Sequence, residues 1–104
     1  MEELLFELST LLKFTVRVSY AYWEIITTIK HPIMRQQEAE IRETLLQPDE
    51  IRRSRSDQDV YLFYRSQEEK RWICAVARRL NGDGFLITAY PTDAIKEGEK
   101  LWQR

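Results

Sequence analysis

Apolar residues at Leu4, Leu5, Leu8, Leu11 and Leu12 follow helical spacing, while Glu2, Glu3 and Glu7 occupy the other face. Residues 1–12 therefore read as an amphipathic leader that packs on its own domain or on a partner. The acidic face argues against an anionic lipid surface, and the segment is too short to span a bilayer. Phe14, Val16 and Val18 then alternate with Thr15, Arg17 and Ser19, the period of a half-buried strand.

Ser19 is placed to cap a helix in which Tyr22, Ile25, Ile26 and Ile29 recur at helical spacing. Pro32 forces His31 out of the helical region, so this helix ends near Lys30. A second helix is expected over residues 33–46, with Met34, Ile41 and Leu45 on one face and the Glu38/Arg42 pair on the other. Pro48 and Asp49 close it.

Three segments dense in aromatic and β-branched residues follow, at 60–64, 72–79 and 85–90. They read as an antiparallel meander, with a polar turn at 66–70 and a hairpin signal in Asn81-Gly82-Asp83-Gly84. Pro91 ends the last strand. Thr92 or Asp93 caps a short turn through Ala94-Ile95-Lys96, and beyond Gly98 the residues Leu101 and Trp102 fold back. The expected fold class is α+β: N-terminal helices packed on one face of an antiparallel sheet of about four strands, with residues 13–104 as a single domain.

Pairing Leu80 with Phe85 and Tyr64 with Trp72 sorts the side chains by face. Val60, Leu62, Tyr64, Trp72, Cys74, Val76, Phe85, Ile87 and Ala89 would lie under the helices. Tyr61, Phe63, Arg65, Arg71, Ile73, Arg79, Leu86, Thr88 and Tyr90 would form an open basic and aromatic face. A one-residue bulge exchanges Arg79 for Arg78, so either arginine is a candidate neighbour of Thr88 and Tyr90.

At 104 residues the chain is one domain, and 43% hydrophobic, 12% aromatic and 32% charged residues exclude a disordered or disulfide-rich class. One cysteine, Cys74, and one histidine, with no CxxC or HxxxH spacing, point to no metal and no cofactor. Cys74 within Trp72-Ile73-Cys74-Ala75-Val76 reads as a small buried hydrophobe. The start of the chain lacks the basic residues of a secretory signal, so a cytosolic, membrane-free protein is expected. The net charge is −1, but residues 51–79 hold eight basic and four acidic groups, a local +4. Such a surface meets an anion, RNA phosphates included, or is a solvated sheet face.

Side chains with chemistry are few. Histidine is the side-chain type whose ordinary pKa lies nearest neutrality, and His31 stands outside the helices, which makes it the candidate acid or base; its plain alternative is a helix-end hydrogen bond. Arg78 or Arg79 offers a guanidinium suited to phosphate, and the Thr88 and Tyr90 hydroxyls can position a ribose or phosphate oxygen. Arg53, Ser54 and Arg55, within Arg52-Arg53-Ser54-Arg55-Ser56, and Arg65 are candidate phosphate contacts, or a solvated edge that discourages aggregation.

The series Lys30-His31-Pro32, Thr44-Leu45, Pro48-Asp49-Glu50-Ile51, Ser54, residues 60–64, Phe85-Leu86-Ile87-Thr88-Ala89-Tyr90, Ile95-Lys96 and Gly98 resembles small uncharacterised bacterial and phage proteins. These are common in cyanobacteria and related to the barnase, EndoU, colicin and RelE-like ribonucleases. The resemblance covers residues 14–102. It implies a RelE/barnase-like fold and metal-independent RNA cleavage through the ribose 2′-hydroxyl, often by a toxin that a small antitoxin protein neutralises. Carried onto this chain, His31 becomes the acid/base, and Arg78 with Thr88 and Tyr90 binds phosphate. Arg78 stands where lysine is expected, keeping the charge but not donating a proton readily. The alternatives are a non-catalytic protein-interaction module and an RNA binder that does not cleave. The sequence leaves the oligomeric state open.

Overall fold

A computed structural model describes residues 3–95 and 97–104. Met1 and Glu2 of the expected leader and Lys96 of the expected terminal turn lie outside the described residues. The chain order is β1 (Leu4–Ser9), β2 (Thr15–Ser19), α1 (Tyr20–Ile25), a π turn (Ile26–Lys30), a 3-10 turn (Pro32–Met34) and α2 (Glu38–Leu46). Then come β3 (Glu50–Arg53), β4 (Val60–Glu68), β5 (Arg71–Leu80), β6 (Asp83–Thr92) and β7 (Glu99–Gln103). All seven strands join one sheet in the order β1-β2-β6-β5-β4-β3-β7, with β2 parallel to β6 and the other pairs antiparallel.

This overturns the expected RelE/barnase-like arrangement of N-terminal helices on one face of an antiparallel sheet of about four strands. The leader is a strand: Phe6 is buried, Leu8 packs on the core, and Glu7 faces Arg17 across the β1–β2 ladder with a contact of 3.0 Å. Its leucines satisfy the helical period, but Leu4, Phe6 and Leu8 also alternate. A short isolated helix is marginal in water, whereas β2 offers an unpaired edge. β3 and β7 escaped the reading because Glu50-Ile51-Arg52-Arg53 and Glu99-Lys100-Leu101-Trp102-Gln103 are poor in β-formers; pairing supplies what propensity does not.

Between β2 and β3 the helical reading holds in outline. Ser19 Oγ accepts the Tyr22 N–H at 3.0 Å and caps α1. Ahead of Pro32 the chain leaves helical geometry at His31 (φ −143°, ψ 80°), after one wide turn in which the His31 N–H donates to the Ile26 carbonyl at 2.7 Å. The second helix begins at Glu38 rather than residue 33, since Pro32 confines residues 32–34 to a 3-10 turn.

Alternation within β4 and β5 groups their side chains as expected, but the covered face is the opposite one. Tyr61, Phe63, Ile73, Ala75, Ala77 and Leu86 pack under the helices with Ile26, Met34, Ile41 and Leu45. Phe14 sits among them, its ring 5.4 Å from that of Tyr61 and 6.1 Å from that of Phe63. Both faces of these strands are apolar, so the period decides which residues share a face and not which face is covered. The registers differ too. Leu80 pairs with Asp83 across the two-residue turn Asn81-Gly82, and Tyr64 pairs with Cys74. Opposite Val76 and Ala77 the register of β6 shifts between Thr88 and Leu86, leaving Ile87 as the extra residue of a bulge. Leu86 thus enters the core while Thr88 and Tyr90 stand opposite Val76 and Cys74 on the other face.

That other face carries a smaller apolar cluster, Leu62, Tyr64 and Cys74, against which Ile95 packs. The connection from β6 in the middle of the sheet to β7 at its far edge crosses here. Gly98 anchors it, at φ +88°, where an added Cβ would lie 2.7 Å from the Arg53 carbonyl; glycine alone meets both conditions. Among the described residues no helix is long and apolar enough to cross a membrane.

Candidate functional site

The crossing segment, the β3–β4 loop and the concave sheet face enclose an open pocket of about 510 Å³. Val60, Leu62 and Val76 form its floor. Ser54, Arg55 and Ser56 make one wall, Thr88 and Tyr90 another, and Glu97 and Gly98 the rim. The Gly98 carbonyl ties the rim to the loop, accepting from Arg52 Nη1 at 3.2 Å and Arg55 Nη2 at 3.4 Å.

His31 stands on the helical side of Tyr90, outside the residues that line the pocket. Its ring lies 5.4 Å from the Tyr90 ring, centroid to centroid. What holds it there is the bulge. The Ile87 carbonyl accepts from the Tyr22 hydroxyl at 2.7 Å and from Lys30 Nζ at 3.1 Å, and Lys30 also donates to the Tyr22 oxygen at 2.8 Å. Bulges free a carbonyl from the ladder, and this one moors the residue next to His31.

The bulge also decides between the two arginines. Arg78 pairs with Phe85 and Val60 and shares the concave face with Thr88 and Tyr90; its Nη2 donates to the Asp57 carboxylate. Arg79 lies on the helix-covered face, its guanidinium 5.2 Å from the Phe14 ring centroid and its Nε donating to the Asn81 carbonyl at 2.9 Å. Arg53 and Arg65 also depart from the expected open face. Arg53 lies over the Tyr61 ring and donates to its hydroxyl at 3.1 Å, and Arg65 donates to the Gln47 carbonyl at 2.7 Å. Of the expected site residues, Ser54, Arg55, Thr88 and Tyr90 line the pocket; His31 adjoins it through the Tyr90 ring and Arg78 shares the sheet face beyond the lining, while Arg53, Arg65 and Arg79 serve the opposite face.

The hydroxyls differ from expectation as well. Tyr90 and Tyr64 both turn their phenol oxygens toward the Cys74 thiol, which is fully buried. Burial pushes Cys74 up to about 12, and both phenols above their ordinary range, so all three are neutral near neutral pH. Tyr90 therefore offers the pocket its ring. Thr88 Oγ1 is buried without a hydrogen-bond partner among the described residues. Asp57 is held below the usual carboxylate range by the Asp59 backbone N–H and then by Arg78, so it is ionised wherever the protein is folded near neutrality.

Asp57, Glu97 and the Tyr22–Lys30–Ile87 mooring were not singled out from the sequence. Lys30 and Tyr22 stand eight residues apart within one helical pattern, and nothing in that spacing signals a shared carbonyl on a distant strand. Among the described residues, no three His, Cys, Asp or Glu side chains converge as metal ligands. The combination offers an aromatic ring for stacking, guanidiniums for an anion, and one imidazole for proton transfer. No protein-family model, curated protein or solved structure significantly matches this chain.

Proposed function

We propose that this protein is a metal-independent endoribonuclease that holds single-stranded RNA in the concave pocket. The observation that carries the reading is the His31–Tyr90 contact, which sets the chain's one imidazole beside an aromatic wall of a pocket that also presents arginine. Tyr90 stacks a base, and Arg55 and Arg78 hold backbone phosphate. His31 takes the proton of the ribose 2′-hydroxyl as that oxygen attacks phosphorus, and a proton returns through the imidazole to the departing 5′-oxygen. Arg78 stabilises the charge on the five-coordinate phosphorus without giving up its own proton, so proton transfer falls to His31. The order of the Lys30-His31-Pro32 and Thr88-Ala89-Tyr90 motifs, which resembles that of small uncharacterised proteins related to the barnase, EndoU, colicin and RelE-like ribonucleases, supports the same reading, although the sheet departs from the fold that resemblance implies.

Such an activity calls for a restraining partner, a small antitoxin protein. Ile29 and Ile33, on either side of His31, are 75% and 70% exposed, and a protein seated on them would cover the imidazole. The same exposure favours a second reading, a non-catalytic interaction module. Incubating the purified protein with single-stranded RNA in excess EDTA separates the two: cleavage that leaves 2′,3′-cyclic phosphate and 5′-hydroxyl ends supports the nuclease, and intact RNA supports the module.

A further inference from the structure

Arg78 lies on the same sheet face as the pocket, beside Val60, and an anion already sits on it. Its partner, Asp57, belongs to the 54–59 loop that walls the pocket. The loop is folded around that carboxylate. Asp57 Oδ1 accepts the Asp59 N–H at 3.0 Å, the Asp57 carbonyl accepts the Val60 N–H at 3.1 Å, and the Asp59 carbonyl accepts the Arg79 N–H at 2.8 Å. Asp57 and Arg78 side chains are each 34% exposed, so a solvent-borne anion can reach the pair. To a guanidinium, a carboxylate and a phosphodiester present the same feature, two acceptor oxygens sharing negative charge.

We infer that Asp57 is an internal substitute for the phosphate, and that the 54–59 loop is a latch which a phosphate group must displace to engage Arg78. This rests on the assignment of Arg78 to phosphate in the function proposed above. Displacement exchanges one partly exposed ion pair for another, so the latch is weak and responds to anion concentration. Opening it removes one tie on the loop that carries Ser54, Arg55 and Ser56, while the Arg55–Gly98 and Asp59–Arg79 bonds keep the rest of the loop in place.

Asp57→Asn tests this with little disturbance, because the amide oxygen still accepts from Asp59 while the charge is gone. The probe is inorganic phosphate, titrated into the full chain while the Arg78 Nε–Hε resonance is followed by NMR. The expected result is a phosphate dissociation constant roughly two- to fivefold lower in Asp57→Asn than in the native chain, the range of an exposed ion pair. The gain should vanish in an Arg78→Gln background. Asp57→Ser keeps an acceptor oxygen and gives the same reading if the amide variant fails to fold. Unchanged or weaker phosphate binding in the charge-free variants, or no response of either form to phosphate, overturns the latch. The titration involves no cleavage, so tighter phosphate binding with intact RNA removes the nuclease alone, and cleavage with unchanged phosphate binding removes the latch alone.

Discussion

The His31 imidazole and the Tyr90 ring meet at 5.4 Å and an interplanar angle of 48°, although 58 intervening residues and three whole strands separate them in the chain. Two local departures from regular structure create the contact. Pro32 turns His31 out of the helix, and the Ile87 bulge both rotates Tyr90 onto the concave face and moors Lys30. The relation is therefore a property of the fold rather than of either residue alone.

Because its hydroxyl faces Cys74, Tyr90 should contribute to binding through its ring. A non-cleavable oligodeoxynucleotide, followed by fluorescence anisotropy, should bind Tyr90→Phe within about twofold of the native chain. Tyr90→Ala should lose about 1–3 kcal/mol, the worth of one stacked base. Equal losses in both variants would show that the hydroxyl, not the ring, makes the contact.

Cys74 sets a limit on alkaline stability. Its pKa is raised from the ordinary 9.0 to about 12 in the folded protein, so below pH 9 both folded and unfolded chains keep the proton and stability is unaffected. From about pH 9 to 12 the unfolded chain releases a proton that the folded chain retains, and stability falls as pH rises. Tyr64 and Tyr90, shifted in the same direction, extend the loss at the upper end. Urea unfolding at pH 7 to 11 should show a shallower decline above pH 9 in Cys74→Ala than in the native chain; parallel declines would contradict the assignment.

The first strand is integral to the core. Phe6 is buried at 5% exposure among the residues that line β2 and the helices, so Phe6→Ala should cost about 3–5 kcal/mol in urea unfolding. A change below about 0.5 kcal/mol, usual for an exposed position, would restore the picture of a separable leader.

Much of the local structure was legible in the sequence, and the larger arrangement was not. Ser19 and Pro32 act through their own backbones, so the start and end of the first helix could be read directly. The meander was visible because Val60, Trp72 and Phe85 open runs rich in β-formers. What escaped depends on partners distant in the chain. Leu5 and Leu8 fit helix and strand alike until β2 supplies an edge, and β3 is a strand only because Phe63 and Trp102 flank Ile51. The face assignment failed because Leu62 and Phe63 are equally apolar. Of the candidate site, Arg78 against Arg79 turned on one bulged residue, Ile87. Alternation leaves either arginine possible, and only the register between β5 and β6 decides.

In the proposed RNA cleavage His31 transfers the proton, and its removal tests that role most directly. A 5′-labelled single-stranded RNA should be incubated in EDTA with the native chain and with His31→Ala, and the unfolding midpoints of the two proteins compared in the same buffer. The expected outcome is cleavage by the native chain, a rate about two to four orders of magnitude lower in His31→Ala, and closely similar midpoints. Equal cleavage by both proteins, or none by a folded native chain, would contradict it.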